Sequence, residues 1–99
     1  MPDEHLPIDD LAGEDFLGAR IWRAEGAVHI DVADLPPPDP FVATMRLLSW
    51  SGVGDEVVFY NDRKPVHLLP ELADLGWDYR VEVDQPDQFR MRIIREDVV

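Results

Sequence analysis

The segment Asp34–Pro40, DLPPPDP, holds four of the chain's nine prolines in seven residues. Proline fixes φ near −65° and lacks an N–H, so such a run belongs neither inside a sheet nor inside a helix. It has to be a junction. Before it, Val28, Ile30 and Val32 alternate with His29 and Asp31, the pattern of a strand with one buried face. After it, Phe41, Met45 and Leu48 recur at helical spacing, Val42 and Leu47 widen the stripe, and Ser51–Gly52 ends it. The prolines therefore join a strand to a first helix, and proline at the first helical positions is well suited to that entry.

The remaining elements follow from the same periodicities. Ala19–Arg23 and Val28–Val32 flank AEG, whose glycine suits a hairpin turn. Asp55–Asn61, DEVVFYN, reads as a central strand. Leu68, Leu69, Leu72 and Leu75 form the apolar face of a second helix, with Pro70 in its first turn and Gly76 as the stop. In WDYRVEVD, residues Trp77, Tyr79, Val81 and Val83 alternate with Asp78, Arg80, Glu82 and Asp84, which predicts an antiparallel strand with one wet face. The turn Gln85–Gln88 returns the chain into a strand with Phe89, Met91 and Ile93 inward, where Arg80, Glu82, Arg90 and Arg92 can pair across the strands.

The order β-α-β-α-β-β implies right-handed crossovers and an α/β (α+β) two-layer sandwich: a mixed four-stranded sheet with two helices on one face. Ala19–Arg23 is a candidate extra N-terminal strand. Residues 1–17 carry six acids, no Lys or Arg and two prolines, and are expected to form a flexible tail, with a helical turn near Leu11 as its one candidate element. A single domain over residues 18–99 is expected.

Composition removes several functions. With no cysteine there is no disulfide, thiolate metal site or thiol nucleophile. A formal charge of −12, from 21 acids and 9 bases, repels nucleic acid and anionic lipid. No apolar run is long enough for a membrane span. The acidic start MPDEHLPIDD lacks the basic and apolar regions of a secretory signal, so a cytoplasmic location is expected. His5, His29 and His67 have no metal-ligand spacing; His29 and His67 are only weak candidates, and no cofactor is expected. Thr44, Ser49 and Ser51 do not follow the strand turn that a hydrolytic serine needs, and Gly52–Gly54 lies in the wrong order for a phosphate loop.

HIDVADLPPPDPFVATM resembles the start of the TusA/SirA-like family, whose first strand ends in D-x-R-G-L-x-C-P-x-P. Aligned without a gap, Pro37 falls at the family's cysteine, and Pro38 and Pro40 at its prolines. The resemblance extends over residues 28–96. With LPPPDP, NDRKP, LLPEL and GW, the chain looks like a cysteine-less bacterial branch of unknown function. The resemblance implies the β-α-β-α-β-β fold; persulfide carriage, the role of the family's cysteine, transfers to no residue here.

Parallel strands bring the loop Asp34–Pro40 beside Asn61–Pro65. The expected binding edge comprises Pro36, Pro37, Pro38 and Asp39 with Asn61, Asp62, Arg63 and Lys64. Its plainer reading is a stiff helix cap beside a polar turn in which Asn61 or Asp62 caps the second helix. No catalytic residue is assigned. The leading expectation is a non-catalytic interaction or accessory module with a protein partner and no nucleic-acid or membrane target; the alternative is an accessory redox protein that binds a small molecule, metal or haem.

Overall fold

The computed structural model describes Leu6–Pro7 and residues 16–50 and 52–96. His5, the turn expected near Leu11 and Ser51 lie outside the described residues. The elements are β1 (Leu6–Pro7), β2 (Arg20–Ala24), β3 (Ala27–Asp31), α1 (Asp39–Leu48), β4 (Glu56–Asn61), α2 (Leu69–Asp74), β5 (Trp77–Gln85) and β6 (Gln88–Arg95). From β3 onward the order is the β-α-β-α-β-β expected from the sequence. The strands form one mixed sheet in the order β1-β2-β3-β4-β6-β5, with β3 and β4 parallel and the other neighbours antiparallel.

The strand count departs from the expected four. The candidate extra strand is β2, displaced by one residue, and all five of its residues pair with β3. Glu25 and Gly26, at φ 55° and 82°, make the two-residue turn with both central φ positive that suits the twist of a hairpin. Leu6 and Pro7, inside the expected tail, add a two-residue edge pairing with Arg23 and Trp22. Phe16 is buried in the core, so the core begins before residue 18.

One face of the sheet carries the core. The register places Val28 and Ile30 beside Val57 and Phe59, and these beside Ile93 and Met91. Ala43, Leu47 and Leu48 of α1 and Leu72 of α2, with Leu68 just before it, join the same buried cluster. Both helices therefore cover that face. Phe59 meets Phe89 edge-on, with ring centroids 6.4 Å apart.

The helix ends follow the residue types. Pro38 is the N-cap of α1 without a side-chain cap bond, and Asp39 and Pro40 open the helix. The nearest turn bonds are Asp39 N to Pro36 O, 2.8 Å, and Val42 N to Pro38 O, 3.1 Å. Thr44, a weak hydroxyl candidate, is buried and donates to Pro40 O at 2.8 Å, so its hydroxyl serves the helix. α2 is entered through a turn in which Leu68 N and Leu69 N both bond Pro65 O, and no side chain caps it. The expected cap from Asn61 or Asp62 is replaced by that proline-led turn. Gly76, at φ 86°, follows Leu75 as the left-handed C′ residue.

β5 corrects a second expectation. Trp77 is buried, with the Arg95 guanidinium 4.3 Å from its ring centroid. Tyr79 and Val81, however, are 37% and 39% exposed. The strand is the outer edge of the sheet, and its register slips at a bulge between Val81 and Val83. Alternation identified the face of Trp77, Tyr79 and Val81, but the bulge carries Val83 opposite Arg90, on the other face from the one expected.

Among the described residues no helix is long and apolar enough to cross a membrane.

Candidate functional site

Two constellations stand out, one at the sheet edge and one on the face opposite the helices. The first arises from the parallel pair. β3 and β4 end on the same edge, where Val32 N extends their pairing by bonding Tyr60 O at 3.0 Å. The proline turn and the loop after Asn61 consequently meet and enclose a groove of about 780 Å³. Pro37, Pro38, Pro40 and Phe41 form one wall, Phe59 and Leu68 lie beneath, and Asn61, Arg63, Lys64, Pro65, Val66 and His67 form the other wall, closed by Pro70 and Glu71.

Of the eight residues expected at this edge, Pro37, Pro38, Asn61, Arg63 and Lys64 line the groove, whereas Pro36, Asp39 and Asp62 do not. Asp62 instead lies 3.3 Å from Arg63 Nε in an exposed ion pair. Asn61 is buried, and its Oδ1 accepts the Asp62 N–H at 2.8 Å. Because that neighbour is a donor, the oxygen is assigned and Nδ2 is the donor left over. His67 lines the groove rather than a metal site, and among the described residues no group of three or more His, Cys, Asp or Glu could hold a metal ion.

Phe41, Phe59, Val66, His67, Leu68, Pro70 and Glu71 line the groove without having been expected at this edge. Phe41 and Leu68 carried a sequence signal, since both sit where a helix stripe begins, next to the predicted loops. Val66, 62% exposed on the lip, carried none beyond being an apolar residue in a polar loop.

The second constellation occupies the open face. Trp22, His29 and Tyr60 stack mutually, with centroids 5.2 to 5.8 Å apart and planes within 28°. His29, which alternation places on the open side of its strand, is only 8% exposed, because the two flanking rings cover it. Its Nε2 faces Ala24 O at 3.2 Å and its Nδ1 faces the Tyr60 hydroxyl at 2.9 Å. A carbonyl only accepts, so Nε2 donates to Ala24 O, and Nδ1 is paired with the Tyr60 hydroxyl. Both ring nitrogens have protein partners. Burial raises the Tyr60 pKa, opposed by nearby Arg90 and Arg92.

Beside the stack, the Arg92 guanidinium bonds Glu56 and reaches Glu82 Oε2 through Nε at 3.0 Å. Arg90 Nε lies 3.2 Å from Glu82 Oε1, but that nitrogen is buried and no acceptor is aligned with it, so this contact is charge attraction rather than a directed bond. The expected Glu82–arginine pairing is present, while Arg80 opposes Arg92 in the register and lends it no counter-charge.

The Arg92 hydrogen bond is the main reason that the Glu82 carboxyl is held below the ordinary glutamate range, with attraction from Arg92 and Arg90 adding to it. A depressed carboxylate stabilises the fold at neutral pH, and that contribution disappears as pH falls through the folded-state value. Glu82→Gln should therefore be less stable than the parent in urea at pH 7 and converge with it well below the ordinary glutamate value of about 4.3. A constant difference across that range would contradict the assignment.

The model of one family, described as uncharacterized conserved protein (DUF2249), matches residues 29–95. The chain belongs to the DUF2249 family. Neither any curated protein nor any solved structure matches it significantly. The DUF2249 match begins within β3 and ends with β6. All of the groove, from Pro37 to Glu71, lies inside it, whereas Trp22 of the aromatic stack lies outside. The groove is thus built wholly from DUF2249 elements. Its lining holds no thiol or hydroxyl nucleophile, and it offers rings on one side and donors and cations on the other.

Proposed function

We propose that this DUF2249 domain is a non-catalytic binding module, related to TusA/SirA-like proteins but without their sulfur chemistry, that docks a protein partner in the groove. The observation that carries this reading is the meeting of the proline turn and the Asn61–Pro70 loop around one concave apolar surface with Arg63 and Lys64 on its rim. The resemblance puts a cysteine at Pro37, and Pro37 lies on the wall beside the start of α1. A proline ring in that position can make contact but cannot carry a persulfide. Such rings keep a fixed shape, so little conformational freedom is lost on docking.

The test is capture by the immobilised chain. A discrete partner should be retained by the parent and lost with Arg63→Glu, and weakened when Pro36 and Pro37 are replaced by Ala. Both substitutions are in exposed residues, so the fold should persist. Unchanged capture by both variants would show that the contact lies elsewhere.

A second reading rests on volume, since about 780 Å³ falls in the range of small-molecule sites. A ligand that prefers the native state raises the melting temperature. Thermal-shift titration with small organic acids and divalent metals therefore separates the two: a saturable rise abolished by Arg63→Glu supports the small-molecule reading.

A further inference from the structure

We infer that the groove selects an extended acidic segment of its partner, which lays an aromatic or branched apolar side chain against the proline wall and sets a carboxylate between Arg63 and Lys64. This deepens the binding-module reading and rests on it.

Charge favours an acidic occupant. The chain carries −12 overall, yet the groove lining contains Arg63 and Lys64 against a single acid, Glu71. Arg20, Arg90, Arg92 and Arg95 are held in ion pairs away from the groove. Among the described residues Arg63 is paired only with its sequence neighbour Asp62, its side chain is 73% exposed, and the contact uses Nε alone. Its two terminal nitrogens remain able to grip a carboxylate in the bidentate manner that suits a guanidinium. Lys64 forms no ion pair among the described residues. On an acidic molecule such a cationic rim is a local site of attraction for a carboxylate.

The hydrogen-bonding groups of the loop favour an acceptor. Asn61 is nine-tenths buried, and because its oxygen is committed to the Asp62 N–H at 2.8 Å, the atom it can offer a ligand is a donor. Together with Arg63 and Lys64 this makes three donors on the loop wall, with Glu71 the one carboxylate in the lining. The polar group that meets these three must accept. An acidic side chain does so with both oxygens, whereas a basic or amide-donating segment would leave these groups facing like groups.

The backbone of the groove disfavours pairing with an added strand. Pro37, Pro38, Pro40, Pro65 and Pro70 line the groove and have no N–H, so they cannot donate to an added strand. A segment lying here is held by its side chains. Flat proline rings and Phe41 accept an aromatic or branched side chain, and exposed Val66 on the lip extends that apolar surface. The site is a groove between two loops rather than a closed cavity, which fits a chain passing through.

The probe is a blocked tetrapeptide, acetyl-Asp-Phe-Leu-Glu-amide, compared with its uncharged twin acetyl-Asn-Phe-Leu-Gln-amide and with free phenylacetate, titrated into the ¹⁵N-labelled full chain. The acidic peptide should shift amides of residue 41 and of the non-proline residues between 61 and 71 and bind at least about tenfold more tightly than the twin, a difference of about 1.4 kcal/mol. The preference should vanish in Arg63→Glu/Lys64→Glu, whose spectrum checks that the fold is kept, and weaken at high salt. Equal binding of the twin, shifts confined to another surface, or phenylacetate binding as tightly as the peptide would each overturn the inference. If neither peptide binds while partner capture still depends on Arg63, the acidic-segment inference fails and the binding-module reading stands.

Discussion

Phe59→Ala should destabilise the protein by about 3–5 kcal/mol, as truncation of a buried aromatic generally does. Phe59 is fully buried on the central strand, shares the core with both helices and packs edge-on against Phe89. In a domain of this size the melting temperature should fall by at least about 12 °C. Because Phe59 also lies beneath the groove, partner binding should weaken even where the variant remains folded. Val81→Ala, at a half-exposed edge position, should stay within about 0.5–1 kcal/mol of the parent. Urea unfolding of the two variants checks the contrast, and similar losses would mean that the core is not centred on β4.

His29→Leu should cost about 2–3 kcal/mol, although the residue lies on the face opposite the helices. The substitution removes the bonds to Ala24 O and to the Tyr60 hydroxyl and breaks a three-ring stack. Tyr60→Phe, which loses only the hydroxyl, should cost about 1 kcal/mol. The two residues touch, so the double variant should lose less than the sum of the singles. Equilibrium unfolding of the four proteins measures the coupling. Strict additivity would show that the Nδ1–hydroxyl bond contributes nothing to stability.

These two positions mark what could be read from the sequence. Phe59 was legible as core because DEVVFYN is a β-branched and aromatic run bounded by a glycine and a polar loop. The topology from β3 onward was legible for a similar reason: the prolines, Gly76 and the change between periods of 2 and 3.6 punctuate the chain unambiguously. His29 was not. Its alternation placed it on the face opposite Val28 and Ile30, but burial there comes from Trp22 on a neighbouring strand and Tyr60 on another, and cross-strand register is a long-range property. The edge position of β5 was hidden for the same reason, as was the pairing of Leu6–Pro7 with β2.

The groove was half legible. Parallel pairing of β3 and β4 dictates that the proline turn and NDRKP share an edge, and Pro37, Pro38, Asn61, Arg63 and Lys64 do meet there. Whether two adjacent loops make a flat surface or a concavity depends on the entry into α2. That entry is set by the backbone bonds of Leu68 and Leu69 to Pro65 rather than by a side-chain cap, and it brings Val66 and His67 onto the groove while Asp62 turns toward Arg63.

The most direct test of the groove as the docking surface is photo-crosslinking in cells that produce the protein. A photoreactive residue would stand in place of Val66 on the lip or of Val81 on the distant edge strand, both exposed. A discrete crosslinked species from position 66, absent at position 81 and lost when Arg63→Glu is added, is the predicted result. A species that forms at position 81 instead, or one at 66 that persists with Arg63→Glu, would contradict it.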